Sequence, residues 1–486
     1  MAETEYHVMV QTLEEGLGPW AKKSFENDSP HFVDGTDIFS FYGAAWEKSP
    51  IKYRQRTPIQ VERDRILYSQ GMRKLTEKYH VLYNGQRRIV RSYATHTMKM
   101  AQVARAIARG LELNQDFAEA IALGAKVGAV PFVHAAKHKL SEWAGEKIAA
   151  LDAKSAKESP LTGSGKSQLE LDFPEKRIPE FVSTLKSSTV LDKIRRYMPW
   201  AAGESGSKLY GSGQEGYWLL CTNPFTNRTR RAQYCPETMY GIWRHSRGLL
   251  PATHPFHHKC FLDGASQGYH EITDAHATFE SIIVQYADDI TWVIENLNDA
   301  NEVALLNDQQ RSVYESLSDE IGEDVDSALQ QALSRNDAGG IYSYFINDFI
   351  THSSKTLSRK SGGAELRNAL TKGTRGAQIG LSSEADELLG RMVRYLDSRI
   401  FTEPRTKNRT EMLKSITYAC VDLIYDTEVL PRVVAEQSRL GRWNEDAKKA
   451  AVDLLADDVH RTQASMDVLA TWGDQEIYDF VGIQAL

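Results

Sequence analysis

The sequence predicts an all-α protein, and three stretches carry that prediction. Between Ile89 and His138, apolar residues recur at three- and four-residue steps, the spacing of a buried helix face. From His276 to Ala300 runs the most regular period in the chain, with Ile283, Tyr286, Ala287, Ile290, Ile294 and Leu297 on one stripe. From Asn301 to Leu486 the pattern is helix after helix, broken at Gly339-Gly340, Ser361-Gly362-Gly363, Pro404 and Gly441.

In chain order, residues 1–55 mix aromatic and polar residues without a sustained period and read as an arm with short helices. Next, Pro58 suits the first turn of a helix, and Ile66, Ser69, Met72 and Leu75 are spaced for one buried stripe. In the stretch that follows, Met100, Val103, Ala104, Ile107, Ala108 and Leu111 share a face, with His96 one turn ahead of them. A second helix begins near Asp116 and turns Phe117, Ala120, Ile121 and Gly124 inward, until Gly128-Ala129-Val130-Pro131-Phe132 stops it. Residues of about 151–178 open with a Ser-, Gly- and Lys-rich run and read as an insertion loop. Its Gly163-Ser164-Gly165-Lys166-Ser167 resembles part of a phosphate-binding loop, but Pro160 stands where the first glycine is required and no apolar strand precedes it. The metal-type residues of Thr253-His254-Pro255-Phe256-His257-His258-Lys259-Cys260 lack a second pair at ligand spacing and read as a polar loop. The expected organisation is therefore an arm (1–55), a core (56–300) and a C-terminal helical region packed on it (301–486).

Composition narrows the function classes. Hydrophobic residues at 41% and charged residues at 25% are ordinary globular values. A formal charge of -7 disfavours a protein that coats nucleic acid. Cys221, Cys235, Cys260 and Cys420 are scattered with no CxxC pair, which points to reduced thiols and a cytoplasmic setting. The first twenty residues lack a basic region followed by an apolar run, and no apolar window is long enough to span a membrane.

Four pieces of wording then stand together in order. They are Arg56-Thr57-Pro58-Ile59-Gln60 through Leu75; Arg91-Ser92-Tyr93-Ala94-Thr95-His96-Thr97 with Ala122-Leu123-Gly124-Ala125-Lys126 through Lys137; Gly241-Ile242-Trp243-Arg244-His245-Ser246; and Glu280 through Ile290. Together they resemble the HD-domain deoxynucleoside triphosphate triphosphohydrolases, the dGTPase family, over about residues 55–430. The resemblance implies an HD-type helical core with a helical C-terminal half. It also implies a divalent metal held by one histidine, an adjacent His-Asp pair and a later aspartate.

Carried over residue by residue, the resemblance leaves His96 and Asp288 as remnant metal ligands, while Ala125-Lys126 stands in place of the His-Asp pair. Two ligands are too few for a tight site, so no cofactor is expected. His134 corresponds to a general-acid or leaving-group histidine. The substrate-facing positions fall at Gln60, Arg63, Arg91, Tyr93, Lys126, Lys137, Trp292 and Asn296. Among these, Lys137 replaces the family's catalytic glutamate, Tyr93 a phosphate-contacting arginine, and Trp292 and Asn296 a tyrosine and a sugar-binding aspartate. Ala129 replaces a second motif histidine.

The reading these residues support is a nucleotide-binding pseudoenzyme that takes a deoxynucleoside triphosphate or related phosphate ligand. It would act as sensor, scaffold or regulatory subunit in nucleotide-pool control or antiviral defence, as a homo-oligomer or with a protein partner. The alternative is an active triphosphohydrolase with Mn, Mg or Fe held by rearranged ligands drawn from His134, His138, Asp289 or the His254–His258 cluster. A third reading, a nucleic-acid surface on Arg56, Arg63, Arg65, Arg73 and Lys74, is the weakest because the chain is acidic overall.

Overall fold

The computed structural model describes residues 3–18, 20–24, 56–79, 91–155, 234–245, 257–261, 269–273, 277–303, 312–322, 325–359, 379–437 and 458–482. Most of the stretch read as an insertion loop, with its Gly-Ser-Gly-Lys-Ser run, lies outside these residues, as do His254 and the breaks at 361–363 and 441.

Among the described residues the regular structure is helical, apart from one small hairpin. After α1 (Glu3–Leu13) come α2 (Pro58–Leu67) and the short α3 (Gln70–Lys74). The core helices are α4 (Tyr93–Gly110), α5 (Gln115–Gly124), α6 (Val133–Ser155), α7 (Pro236–Trp243) and α8 (Phe279–Glu302). The C-terminal half contributes α9 (Val313–Ile321), α10 (Ser327–Ser334), α11 (Ala338–Arg359) and α12 (Ser383–Tyr395), the last running into a π turn over Leu396–Ile400. It closes with α13 (Pro404–Ile424), α14 (Val429–Gln437), α15 (Asp458–Ala470) and α16 (Asp474–Phe480). The exception is an antiparallel hairpin of β1 (His257–Phe261) and β2 (Tyr269–Thr273), paired from His257 opposite Thr273 to Phe261 opposite Tyr269. The stretch read as a polar loop thus continues into a strand: His257, His258, Lys259 and Cys260 are held by backbone pairing.

Local chemistry explains where the core helices begin. Thr57 caps α2 through a reciprocal box with Gln60, and Pro58 fills the first helical position, where its missing N–H costs nothing. Ser92 caps α4 by accepting from the Thr95 N–H, and Asn114 caps α5 by accepting from Asp116 and Phe117. Two expectations are corrected. The stripe from Ile66 to Leu75 is not one helix: Ser69 accepts from the Met72 N–H and starts a new one. Gly339-Gly340 does not break the chain but lies in the first turn of α11, where a Cβ on Gly340 would come within 2.7 Å of Ala332.

Helices α4, α5 and α8 pack on one another, with α2 against α5 and α7 wedged between α5 and α8. The buried face of α4 includes Met100, Val103, Ala104, Ile107 and Ala108, and that of α8 Ile283, Ala287, Ile290, Ile294 and Leu297. Contact between α5 and α7 is close enough to require glycine: a Cβ on Gly124 would lie 2.3 Å from Ile242, and one on Gly241 2.7 Å from Ile121. The N-terminal arm docks through Lys22. Its Nζ lies 2.8 Å from Glu237 of α7, and its backbone N–H donates to Glu280 at 3.0 Å. Helix α11 packs on α4 and α8, and α13 lies along α6. Among the described residues no helix is long and apolar enough to cross a membrane.

Candidate functional site

The chemistry converges on Asp288, which α8 presents on the flank beside its apolar stripe. Lys126, two residues past the end of α5, is buried and sets its ammonium 2.8 Å from each of the two Asp288 oxygens. Two imidazoles complete the ring. His96, in the first turn of α4, brings Nε2 to 3.4 Å from Oδ1, and His245, after α7, brings Nε2 to 3.9 Å from Oδ2. The His245 orientation is fixed by Nδ1, 2.9 Å from the Ile242 carbonyl. Tyr93 stacks on His96 with centroids 5.4 Å apart and 17° between planes, and the Lys126 ammonium lies 5.9 Å from the Tyr93 ring centroid.

Burial and charge set the protonation states. Burial disfavours the Lys126 ammonium, but the Asp288 carboxylate outweighs it and holds the lysine pKa above its usual value. Burial would likewise push Asp288 up, yet Lys126 and the hydrogen bond from His96 hold it well below the carboxylate range. Both histidines are driven down as well, first by burial and then by the nearby lysine. His96 lies below its usual value despite Asp288, and His245 falls to about 3. The centre is therefore a charged Lys–Asp pair flanked by neutral imidazoles. Lys137, half-buried on α6, is lowered to about 8 by burial and by Lys126, with Asp288 opposing.

The remaining sequence-derived positions divide. Trp292 and Asn296 follow Asp288 at successive four-residue steps on α8, so they extend its face. The Trp292 ring packs on Phe401 at 5.7 Å, and the Asn296 amide donates to the Trp292 carbonyl at 2.7 Å. Arg91 is held by Glu295 and, at 3.3 Å, by Asp299. Lys99 and Tyr342 also reach Glu295, at 2.9 and 3.0 Å. Gln60 and Arg63 are not brought to Asp288. Gln60 donates to Asp116 at 2.9 Å, and Arg63 pairs with Asp64, Asp116 and Glu119. Asp116 opens α5 whereas Lys126 follows its end, an axial separation of about 15 Å. His134 and His138 lie on α6, but their side chains are outside the described set. His245 is the residue that sequence reasoning missed as a site group, although the Gly241–Ser246 wording that contains it had been singled out.

No family model matches the chain. Curated relatives do. A deoxyguanosinetriphosphate triphosphohydrolase-like protein of Wolinella succinogenes is 25% identical over 397 residues, 79% of this chain and 88% of that protein. Over most of its length the chain is therefore similar to a protein described as dGTPase-like. Relatives with the same description from Caldanaerobacter subterraneus and Bordetella pertussis match locally, at 44% over 87 residues and 36% over 118. These local matches span 26% and 31% of their relatives' lengths.

The dGTPase resemblance implies a divalent ion between His96 and Asp288. The side chains described there do not fit one. Ala125 offers no donor, and the Lys126 ammonium lies on the very carboxylate oxygens an ion would need. Among the described residues no three His, Cys, Asp or Glu side chains converge as a ligand set. A second cation beside that ammonium would be repelled strongly in so dry a setting.

Proposed function

We propose that this dGTPase-like protein is a nucleotide-binding pseudoenzyme, a sensor, scaffold or regulatory subunit whose pocket receives a deoxynucleoside triphosphate or related phosphate ligand without hydrolysing it. One observation carries the reading: the Lys126 ammonium sits on Asp288, between two neutral histidines, as a built-in cation. Such a cation neutralises charge but does not activate an attacking water as a bound metal does. Lys137 supplies a second positive charge toward the same centre, and a phosphate group is the ligand that suits it.

The test pairs a binding assay with a product assay on full-length protein. In metal-free buffer, dNTPs should raise the melting temperature, since a ligand of the folded state stabilises it by mass action. No triphosphate should be released from any of the four dNTPs with Mn, Mg or Fe. Elemental analysis that finds about one tightly held metal per chain would overturn the reading.

A second reading, an active triphosphohydrolase, draws on one specific feature. His245 gives the centre a second imidazole, so the Asp288 carboxylate would face two histidines once Lys126 is displaced. Triphosphate release that both Asp288→Ala and His245→Ala abolish would favour that reading over the first.

A further inference from the structure

The loop that follows Lys126 is strained, and residues far along the chain hold it. Phe132 and Val133 are consecutive non-glycine residues with φ of 57° and 30°. That region is costly for any L-residue and most of all for β-branched valine. Such a conformation persists only where its surroundings over-determine it. The surroundings here come from the C-terminus. Asp474, the first residue of α16 and buried, accepts the Phe132 N–H at 2.8 Å with one oxygen and the Tyr79 N–H at 2.9 Å with the other. The Phe132 ring meets Tyr478 of α16 edge to face, with centroids 5.3 Å apart.

A second tie runs in parallel. Lys78 is fully buried, and its ammonium donates to the carbonyls of Ala129 in the loop and Ala470 at the end of α15. The Lys78 carbonyl accepts the Tyr93 N–H at 2.7 Å at the start of α4. Tyr79 and Ser92 form an isolated antiparallel bridge beside it. The same few residues therefore hold the strained loop, the entry of α4 and the C-terminal helices. Those are the segments that bring Lys126 and Tyr93 together at the Asp288 centre. The outer side is secured by Lys74, 3.0 Å from Glu476, and by Gly473, whose missing Cβ lets Glu77 approach to 2.6 Å of that position.

We propose that residues 470–480 form a latch that keeps the 128–133 loop in its strained conformation, so that undocking the C-terminal helix loosens the loop next to the Lys126–Asp288 pair. The inference does not depend on nucleotide binding or on the absence of catalysis. Local opening of a docked helix is a low-energy motion compared with global unfolding, which suits it to control. A partner or ligand that binds the undocked helix would be read out at the Lys126–Asp288 pair through the Phe132 and Ala129 contacts.

Hydrogen–deuterium exchange on the full-length protein tests this. Asp474→Ala should raise exchange at least tenfold in peptides covering 128–133 and 474–480 and leave the interior of α4 unchanged. Asp474→Asn, which retains one accepting oxygen, should fall between the variant and the wild type. Gly473→Ala disturbs the same docking by crowding Glu77 while removing no hydrogen-bonding group. It should give the same pattern, including where Asp474→Ala does not fold. The latch is refuted if 474–480 exchanges faster while 128–133 keeps its protection. It is refuted equally by no change in either segment, or by exchange that rises uniformly through α4.

Discussion

Replacing Lys126 with methionine removes the ammonium while keeping an unbranched chain that fills the same space. Asp288 is then left as a buried carboxylate beside imidazoles that burial keeps neutral. Breaking one side of a buried pair costs about 3–5 kcal/mol, chiefly because the surviving charge has lost its counter-charge. For 486 residues an unfolding entropy of roughly 2.1 cal/mol/K per residue amounts to about 1 kcal/mol/K. The expected fall in melting temperature is therefore about 3–5 °C. Asp288→Asn alone should cost a similar amount, because it strands Lys126. The double variant, with neither charge, should cost less than the sum by about 2 kcal/mol or more, the signature of direct coupling. Scanning calorimetry of the four proteins reads this cycle. The same variants address the built-in cation. Once Lys126 is gone, Mn or Mg at millimolar concentration should raise the melting temperature of Lys126→Met and leave the wild type unmoved. Additive single effects would refute the coupling. Equal stabilisation of wild type and variant by metal would refute the claim that the ammonium occupies the ion's position.

Three further outcomes follow from other parts of the structure. Gly124→Ala should destabilise by about 1–3 kcal/mol, because its methyl meets Ile242 in a packed interface, whereas Gly145→Ala should stabilise by about 0.5–1 kcal/mol. Gly145 lies within α6 with nothing within 4 Å of its Cβ position, so urea unfolding should give the pair opposite signs. Burial raises the Asp474 carboxyl to about 7 from an ordinary 3.8, against hydrogen bonds from Tyr79 and Phe132 and the charge of Lys78. The folded state then binds that proton more tightly than the unfolded chain. Stability should fall as pH rises from about 4 to about 7, by at most about 1.4 kcal/mol per pH unit, and unfolding at several pH values should find this component missing in Asp474→Asn. With Lys137 held near 8, its charge fades as pH rises through that value. Affinity for a triphosphate ligand should weaken over the same range, and titration calorimetry should find the fall absent in Lys137→Arg.

What the sequence disclosed and what it hid follow from the range of the interactions concerned. The start of α2 was legible because Thr57, Pro58 and Gln60 lie within one turn and satisfy the helix end among themselves. The stripes on α4 and α8 were legible because burial imposes the helical period directly on residue type. The break at Ser69 was not, since Ile66, Met72 and Leu75 keep their spacing across it and all three are buried. The helical setting of Gly339-Gly340 was hidden as well. Glycine signals a turn locally, and only the approach of Ala332 gives it a packing reason here. Lys126 and Asp288 were named from motif wording, but their contact spans separate helices. His245 was hidden for the same reason. Its wording was visible, but nothing in the chain between it and Asp288 encodes that the two side chains meet. Gln60, Arg63 and Arg91 illustrate the converse. Long polar side chains near a pocket in the sequence are taken up by Asp116, Glu119, Glu295 and Asp299, which become visible only after folding.

On the reading proposed for the pocket, exchanging a divalent ion for a lysine changes more than the number of charges. A metal ion has coordination positions to spare. After its protein ligands are satisfied it still polarises a phosphate oxygen and lowers the pKa of a bound water. The Lys126 ammonium has three protons and no vacant orbital, and the pair of 2.8 Å contacts to Asp288 engages its charge within the protein. Its proton is also the wrong currency for hydrolysis. Asp288 holds the lysine pKa above its usual value, so the group neither accepts a proton from water nor readily gives one up. Neutral His96 and His245 face a carboxylate already matched by Lys126. The charge left to meet a phosphate is therefore that of Lys137, which touches neither remnant ligand in the described contacts and can reach a ligand without disturbing the pair. A centre built this way favours binding over turnover, and it does so through the same residues that would otherwise have held the ion.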